Sequence, residues 1–99
     1  MAPLMLAVLG PTAPAAADTI VVTVPAGIHP QAVAVNSATD KIYVANGGSG
    51  SVTVINGATD TVSATLTVGT APVAVAVNTV TDKIYVANGG SGSVTVING

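Results

Sequence analysis

Acid-base and nucleophilic chemistry draw on a small set of side chains, and this chain holds few of them. His29 is the single histidine. It could serve as a metal or substrate contact at a channel mouth, yet no second histidine, no cysteine and no glutamate is present to complete a ligand set. An exposed loop histidine is the plainer expectation. Six serines would all have to share that one imidazole as their base. Asp18, Asp40, Asp60 and Asp82 recur at turn positions, where a short acceptor side chain caps backbone N–H groups. A shared calcium site is the alternative chemistry for such a set.

The remaining candidates also read as architecture. Gly47-Gly48-Ser49-Gly50 resembles a phosphate loop in composition only. It lacks the Lys-Ser/Thr ending and leads into a strand, so no helix dipole points at an anion. It is expected to be a hairpin turn whose residues accept positive φ, and the Asn56-Gly57 pair signals another tight turn. Tyr43 and Tyr85 are the only aromatic residues, too few to stack bases or sugars and better suited to filling space between layers. Lys41 and Lys83 shield strand termini. The residues left for surface contacts are His29, Gly48 and Ser49, with Gly90 and Ser91 at the matching later positions. No catalytic residue, metal site or cofactor is expected.

These side chains must be positioned by a chain of 99 residues that is 49% hydrophobic and only 6% charged. Two lysines, no arginine and a net charge of −2 provide no basic surface for nucleic acid or anionic lipid. Residues 1–17 read as a secretory signal peptide: an apolar run from Leu4 to Leu9, then Ala15-Ala16-Ala17 as an A-x-A cleavage site. Its n-region carries no Lys or Arg, a departure from the usual leader. The apolar run is far shorter than the ~20 residues of a bilayer span, and the mature chain contains no membrane span. The expected location is extracytoplasmic: secreted, periplasmic or cell-surface.

Residues 18–99 are a repeat. The seventeen letters KIYVANGGSGSVTVING at 41–57 return at 83–99, an offset of 42 residues that also relates Asp18-Thr19 to Asp60-Thr61, Gly27 to Gly69 and Pro30 to Pro72. The two units are 18–57 and 58–99. Short runs of Val, Ile, Thr and Tyr between Gly, Asn, Asp and Pro are strand-and-turn signatures. They predict strands at 19–24, 31–36, 41–46, 51–55, 61–68, 73–78, 83–88 and 93–97. Loops this short join antiparallel neighbours, so each unit is a four-stranded meander.

Four strands in about 40 to 45 residues is the length of a β-propeller blade. The run Ala32-Val33-Ala34-Val35, apolar on both faces, suits an innermost strand packed by blades on either side. The alternating 51–54 and 61–66 runs suit strands nearer the rim.

The pattern V-x-V-G-x-x-P-x-A-V-A-V-N-x-x-T-x-K-I-Y-V-A-N resembles the YVTN family of β-propeller repeats. The family tetrapeptide stands here as Tyr43-Val44-Ala45-Asn46 and Tyr85-Val86-Ala87-Asn88, with Ala in place of Thr, and Pro30, Pro72, Lys41 and Lys83 also match. The resemblance covers the whole of 18–99. It implies the architecture and export of seven-bladed surface-layer or lactonase-like propellers, more than any one activity.

The expected fold is therefore all-β: propeller blades of four antiparallel strands, about two in this chain, a partial propeller. A closed ring takes 4 to 8 blades. Two repeats imply either a piece of a longer propeller or self-assembly into a multi-chain ring, with residues 19–24 as an outer strand seeking another blade. The expected function is a non-catalytic exported binding or structural module contacting a protein or cell-surface partner. The alternatives are a portion of an enzymatic propeller, lactonase-like hydrolase or electron-transfer partner, whose site lies in other blades, and a fragment with no independent function.

Overall fold

The structure, a computed structural model, describes residues 18–99. The leader reading of residues 1–17 lies outside them.

Seven strands form two antiparallel sheets. Sheet A is the meander β1 (Pro30–Asn36), β2 (Lys41–Asn46), β3 (Ser51–Asn56) and β4 (Thr61–Thr67), and sheet B is β5 (Pro72–Asn78), β6 (Lys83–Asn88) and β7 (Ser93–Asn98). Strand and loop alternate because β-branched runs are cut every six or seven residues by Asn, Gly and Asp. The two sheets share one register: Tyr43 pairs with Ala34 and Val54 in sheet A, and Tyr85 with Ala76 and Val96 in sheet B. Both innermost strands carry an irregularity just after their proline, between Pro30 and Ala32 and between Pro72 and Ala74. No helix of the described residues is long and apolar enough to cross a membrane.

The sheets pack face to face, with β1 and β2 of sheet A against β5 of sheet B. Tyr43, Val52 and Val54 of sheet A meet Ile84 and Val86 of sheet B, flanked by Leu66, Val75, Val77 and Ile97. Side-chain alternation explains the choice of residues, since positions 43, 52 and 54 share one face of sheet A and positions 84 and 86 share the opposite face of sheet B.

Several expectations are corrected. Residues 19–24 are not a strand; Ile20 and Val21 are each 87% exposed. Their β-forming composition is not enough, because a strand needs a partner for its N–H and C=O groups and residues 19–24 pair with no strand edge among the described residues. The inner strands begin at Pro30 and Pro72 and β3 and β7 run on to Asn56 and Asn98, while β4 stops at Thr67. Strand β1 is not packed on both faces, for Val33 is 63% and Val35 58% exposed. Nor does β3 behave as a rim strand: Ser51, Val52, Thr53 and Val54 are all buried. The reason is that its second face is covered too, by Asn46 and the loop that Asn46 holds.

The turns differ in detail as well. Of Gly47-Gly48-Ser49-Gly50 only Gly50 has positive φ (60°), closing a loop in which its N–H donates to the Asn46 carbonyl at 3.1 Å. Asn56-Gly57 is not a two-residue hairpin turn. Residues 57–60 form a four-residue loop closed by the Asp60 N–H on the Asn56 carbonyl (2.8 Å), with Asp60 in the left-handed region. The aspartates are not the caps. Asn36, Asn56 and Asn78 accept from the N–H groups of Ala38, Ala58 and Val80 through Oδ1, at 2.9 to 3.0 Å. Asp40, Asp60 and Asp82 instead hold φ of 57 to 58° at the ends of those loops. Asp is among the few side chains that enter this region at modest cost.

Candidate functional site

The loop that enters each innermost strand is locked onto the Gly-Gly-Ser-Gly hairpin two strands later. Gly47 N–H donates to the His29 carbonyl (2.8 Å) and Gly48 N–H to that of Ile28 (2.9 Å). In return Ile28 N–H donates to Ser49 Oγ (3.2 Å) and Gly27 N–H to Asn46 Oδ1 (3.1 Å). The second repeat copies the arrangement: Gly89 and Gly90 donate to Ala71 and Thr70 carbonyls at 2.9 Å, Thr70 N–H donates to Ser91 Oγ and Gly69 N–H to Asn88 Oδ1, both at 3.2 Å. Each platform is a pair of loops held by four hydrogen bonds.

The candidate contact residues thus gather in two groups. His29, Gly48 and Ser49 lie together and exposed on one platform, and Gly90 and Ser91 lie exposed on the other beside Ala71. A Cβ on Gly48 would stand 2.6 Å from both His29 Nδ1 and Ile28 Cγ2, so only glycine lets the hairpin approach that closely. His29 itself sits at φ 52°, as does Ala71 in the matching place. A left-handed backbone is less costly for His than for Ala, which is a conformational reason for a histidine there. Ser49 and Ser91 act as acceptors for loop N–H groups and share hydrogen bonds of 2.9 and 3.0 Å with Ser51 and Ser93. They are spent on structure.

Beneath each platform lies a residue that sequence reasoning left without a role. Asn46 and Asn88, the last letters of the repeated tetrapeptide, are 0% and 1% exposed. Asn46 Nδ2 donates to Ser51 Oγ (3.2 Å) and Thr53 Oγ1 (2.9 Å) while Oδ1 receives Gly27. Asn88 does the same with Ser93 (3.3 Å), Thr95 (2.8 Å) and Gly69. A buried primary amide stripped of water must find partners for both ends. The recurrence of Asn with Ser and Thr five and seven residues later was the available signal.

A cleft of about 380 Å³ also lies between the sheets, where Lys41, Tyr43, Asn56 and Ser63 of sheet A face Ile97 and Asn98 of sheet B. Tyr43 fills the inter-sheet space there, and its phenol is pushed above its usual value of 10.0, by burial first and by the negative charge of Asp82 second. Lys41 and Lys83 stand at the first positions of β2 and β6. Among the described residues no three His, Asp or Glu side chains gather as a metal-binding group. Asp40, Asp60 and Asp82 lie at the opposite ends of the strands from His29, a strand's length from each platform.

No protein-family model matches the chain. No curated protein matches it either. Among solved structures, Kuenenia stuttgartiensis hydrazine synthase is similar, with a TM-score of 0.67 and 27% identity over 71% of this chain. The likeness covers 20% of that protein, which contains a β-propeller. Sheet order, blade-like meanders and this likeness agree: the chain is an all-β partial β-propeller, with one four-stranded blade and three strands of the next.

Proposed function

We propose that this chain is a non-catalytic, exported binding or structural module built from YVTN-type propeller repeats. The observation that carries the reading is the fate of the polar side chains. Asn46, Ser49, Ser51 and Thr53 are joined in one hydrogen-bonded network under the loop face, as are Asn88, Ser91, Ser93 and Thr95. What reaches solvent from these loops is, apart from His29, not titratable: Ile28, Gly48 and Ser49 on one platform, Thr70, Gly90 and Ser91 on the other. A rigid surface of this kind suits contact with another protein or a cell-surface polymer, where pre-formed loops lower the ordering cost of binding.

Two measurements test it. Fusing residues 1–17 ahead of an alkaline phosphatase that is active only after export should yield activity; a silent fusion rejects export. Assaying the chain against ester and lactone substrates should show no turnover above buffer. Turnover that disappears in His29→Ala would instead make His29 a working base. The likeness to a synthase supports a second reading, that such repeats form part of an enzyme whose reacting groups lie in other blades. Titratable side chains converging on the channel from those blades would distinguish it.

A further inference from the structure

The contact between the two sheets is also a template for a contact the chain does not make with itself. Sheet A presents Tyr43, Ala45, Val52 and Val54 to sheet B, and these are 0 to 5% exposed. Sheet B receives them with Ile84 and Val86, both 0% exposed, and with Val75 and Val77. Because the repeat is identical over these letters, each sheet also owns the other half of the same joint. Sheet B displays Tyr85, Val94 and Val96 at 40, 62 and 55% exposure, and Tyr85 and Val94 line an apolar hollow with Ala74, Ala76 and Ala87. Sheet A displays Val33 and Val35, beside half-buried Ile42 and Val44. The two uncovered faces therefore have the side chains of the two covered ones.

Two further features share the same register. Asn36, fully buried, donates from Nδ2 to Asp82 Oδ1 across the sheets at 2.7 Å. Its counterpart Asn78 is exposed, and so is Asp40, the counterpart of Asp82. Residues 19–24 stand 42 residues before the stretch of β4 that pairs with β3, while β7, the equivalent of β3, has no neighbour on its outer edge among the described residues.

We infer that a second copy of this chain seats the Val33 and Val35 face of its sheet A on the Tyr85 and Val94 face of sheet B. Asn78 then donates to Asp40 of the second copy, and residues 19–24 of that copy add beside β7 as the fourth strand of the blade. The joint is heterologous, so a joined pair keeps one unused face of each kind and association continues until the rotation closes. Rings of 4 to 8 blades correspond to two, three or four copies.

The test is light scattering on the full chain and on two variants at the most exposed position of each face, Val33→Lys and Val94→Lys. The wild type should be an assembly of at least two copies. Each variant alone lacks one half of the joint and should be monomeric, with the β-rich circular dichroism of the wild type. Mixed in equal amounts they should form a dimer, because one intact half remains on each. A monomeric wild type overturns the inference and leaves these faces to further blades of a longer chain. Dimerisation of Val33→Lys by itself overturns it in favour of like faces pairing. Should the lysines impair folding, Asp40→Gly suits the left-handed backbone at φ 57° while removing the acceptor, and Asn78→Asp keeps the Oδ1 that caps Val80 while removing the donor; each should weaken association about tenfold or more, as expected for a lost hydrogen bond to a charged group. Unchanged association in both overturns the register.

Discussion

Tyr43 and Tyr85 occupy the same place in two identical stretches of seventeen residues, yet one is 1% exposed and the other 40%. Val52 and Val94 differ more, 0% against 62%. The inequality runs the other way on the opposite faces, where Ile84 is fully buried and Ile42 only half-buried. Local structure does not distinguish the pairs, for strand bounds, register and platform hydrogen bonds are repeated almost to the tenth of an ångström. What differs is which face has a sheet laid over it. Burial here is a property of position in the stack, and identical sequences acquire unequal energetic roles from it.

The comparison can be broken first at the isoleucines. Ile84→Ala empties the middle of the sheet-to-sheet core and should cost about 2 to 5 kcal/mol, whereas Ile42→Ala at the half-covered site should cost well under half as much. Urea unfolding monitored by circular dichroism, in a Val94→Lys background that suppresses association, gives both values. Equal losses would mean that Ile42 is covered in solution by something other than a second copy.

The buried amides should behave oppositely. Asn46→Ala and Asn88→Ala each remove three hydrogen bonds and strand a loop N–H, so each should cost about 2 to 4 kcal/mol. Near-equal losses by the same unfolding assay would show that the platforms are built within a repeat and not by stacking. A large disparity would contradict that.

A smaller effect separates His29 from Ala71. Both hold φ of 52°, a conformation that costs an L-residue with a Cβ roughly 1 to 2 kcal/mol. Ala71→Gly should therefore raise stability by up to about 1 kcal/mol, and His29→Gly by less, since His tolerates the region better. Thermal unfolding resolves a difference of this size.

The smallest expected effect is in alkaline solution. Burial and Asp82 hold the Tyr43 phenol above its unfolded value of 10.0. Below pH 10 both states are protonated and the contribution is fully present. As pH rises from 10 through the folded value, the unfolded chain ionises first and stability is lost. Tyr43→Phe should remove that part of the alkaline loss, which unfolding measured on either side of pH 10 would reveal. An unchanged pH dependence would assign the loss elsewhere.

Much of the fold was legible because its signals are short in range. The 42-residue offset, the Val-rich runs and their polar breaks identify the meanders, and strand alternation alone brings His29 onto the same side as Gly48 and Ser49. The misreadings share one cause. Residues 19–24 have the letters of β4 without an edge to join, Asn56-Gly57 has the letters of a tight turn in a loop that Asp60 closes, and the Val33 face has the letters of a core without a covering sheet. Asn46 escaped notice because Gly27 precedes it by 19 residues and Ser51 and Thr53, though near in sequence, stand on the next strand and meet it only when the strands pair.

By itself, then, the sequence determined the period, the strand and turn alternation, and the near-absence of acid-base groups, since all three follow from residue types and from spacings of a few positions. Which copy of each repeated side chain became core, which asparagine became a buried anchor or an inter-sheet donor, and which edge stayed open were decided by tertiary structure. Those outcomes depend on what lies about 10 Å away across a sheet face, and identical letters have no means of specifying that difference from within.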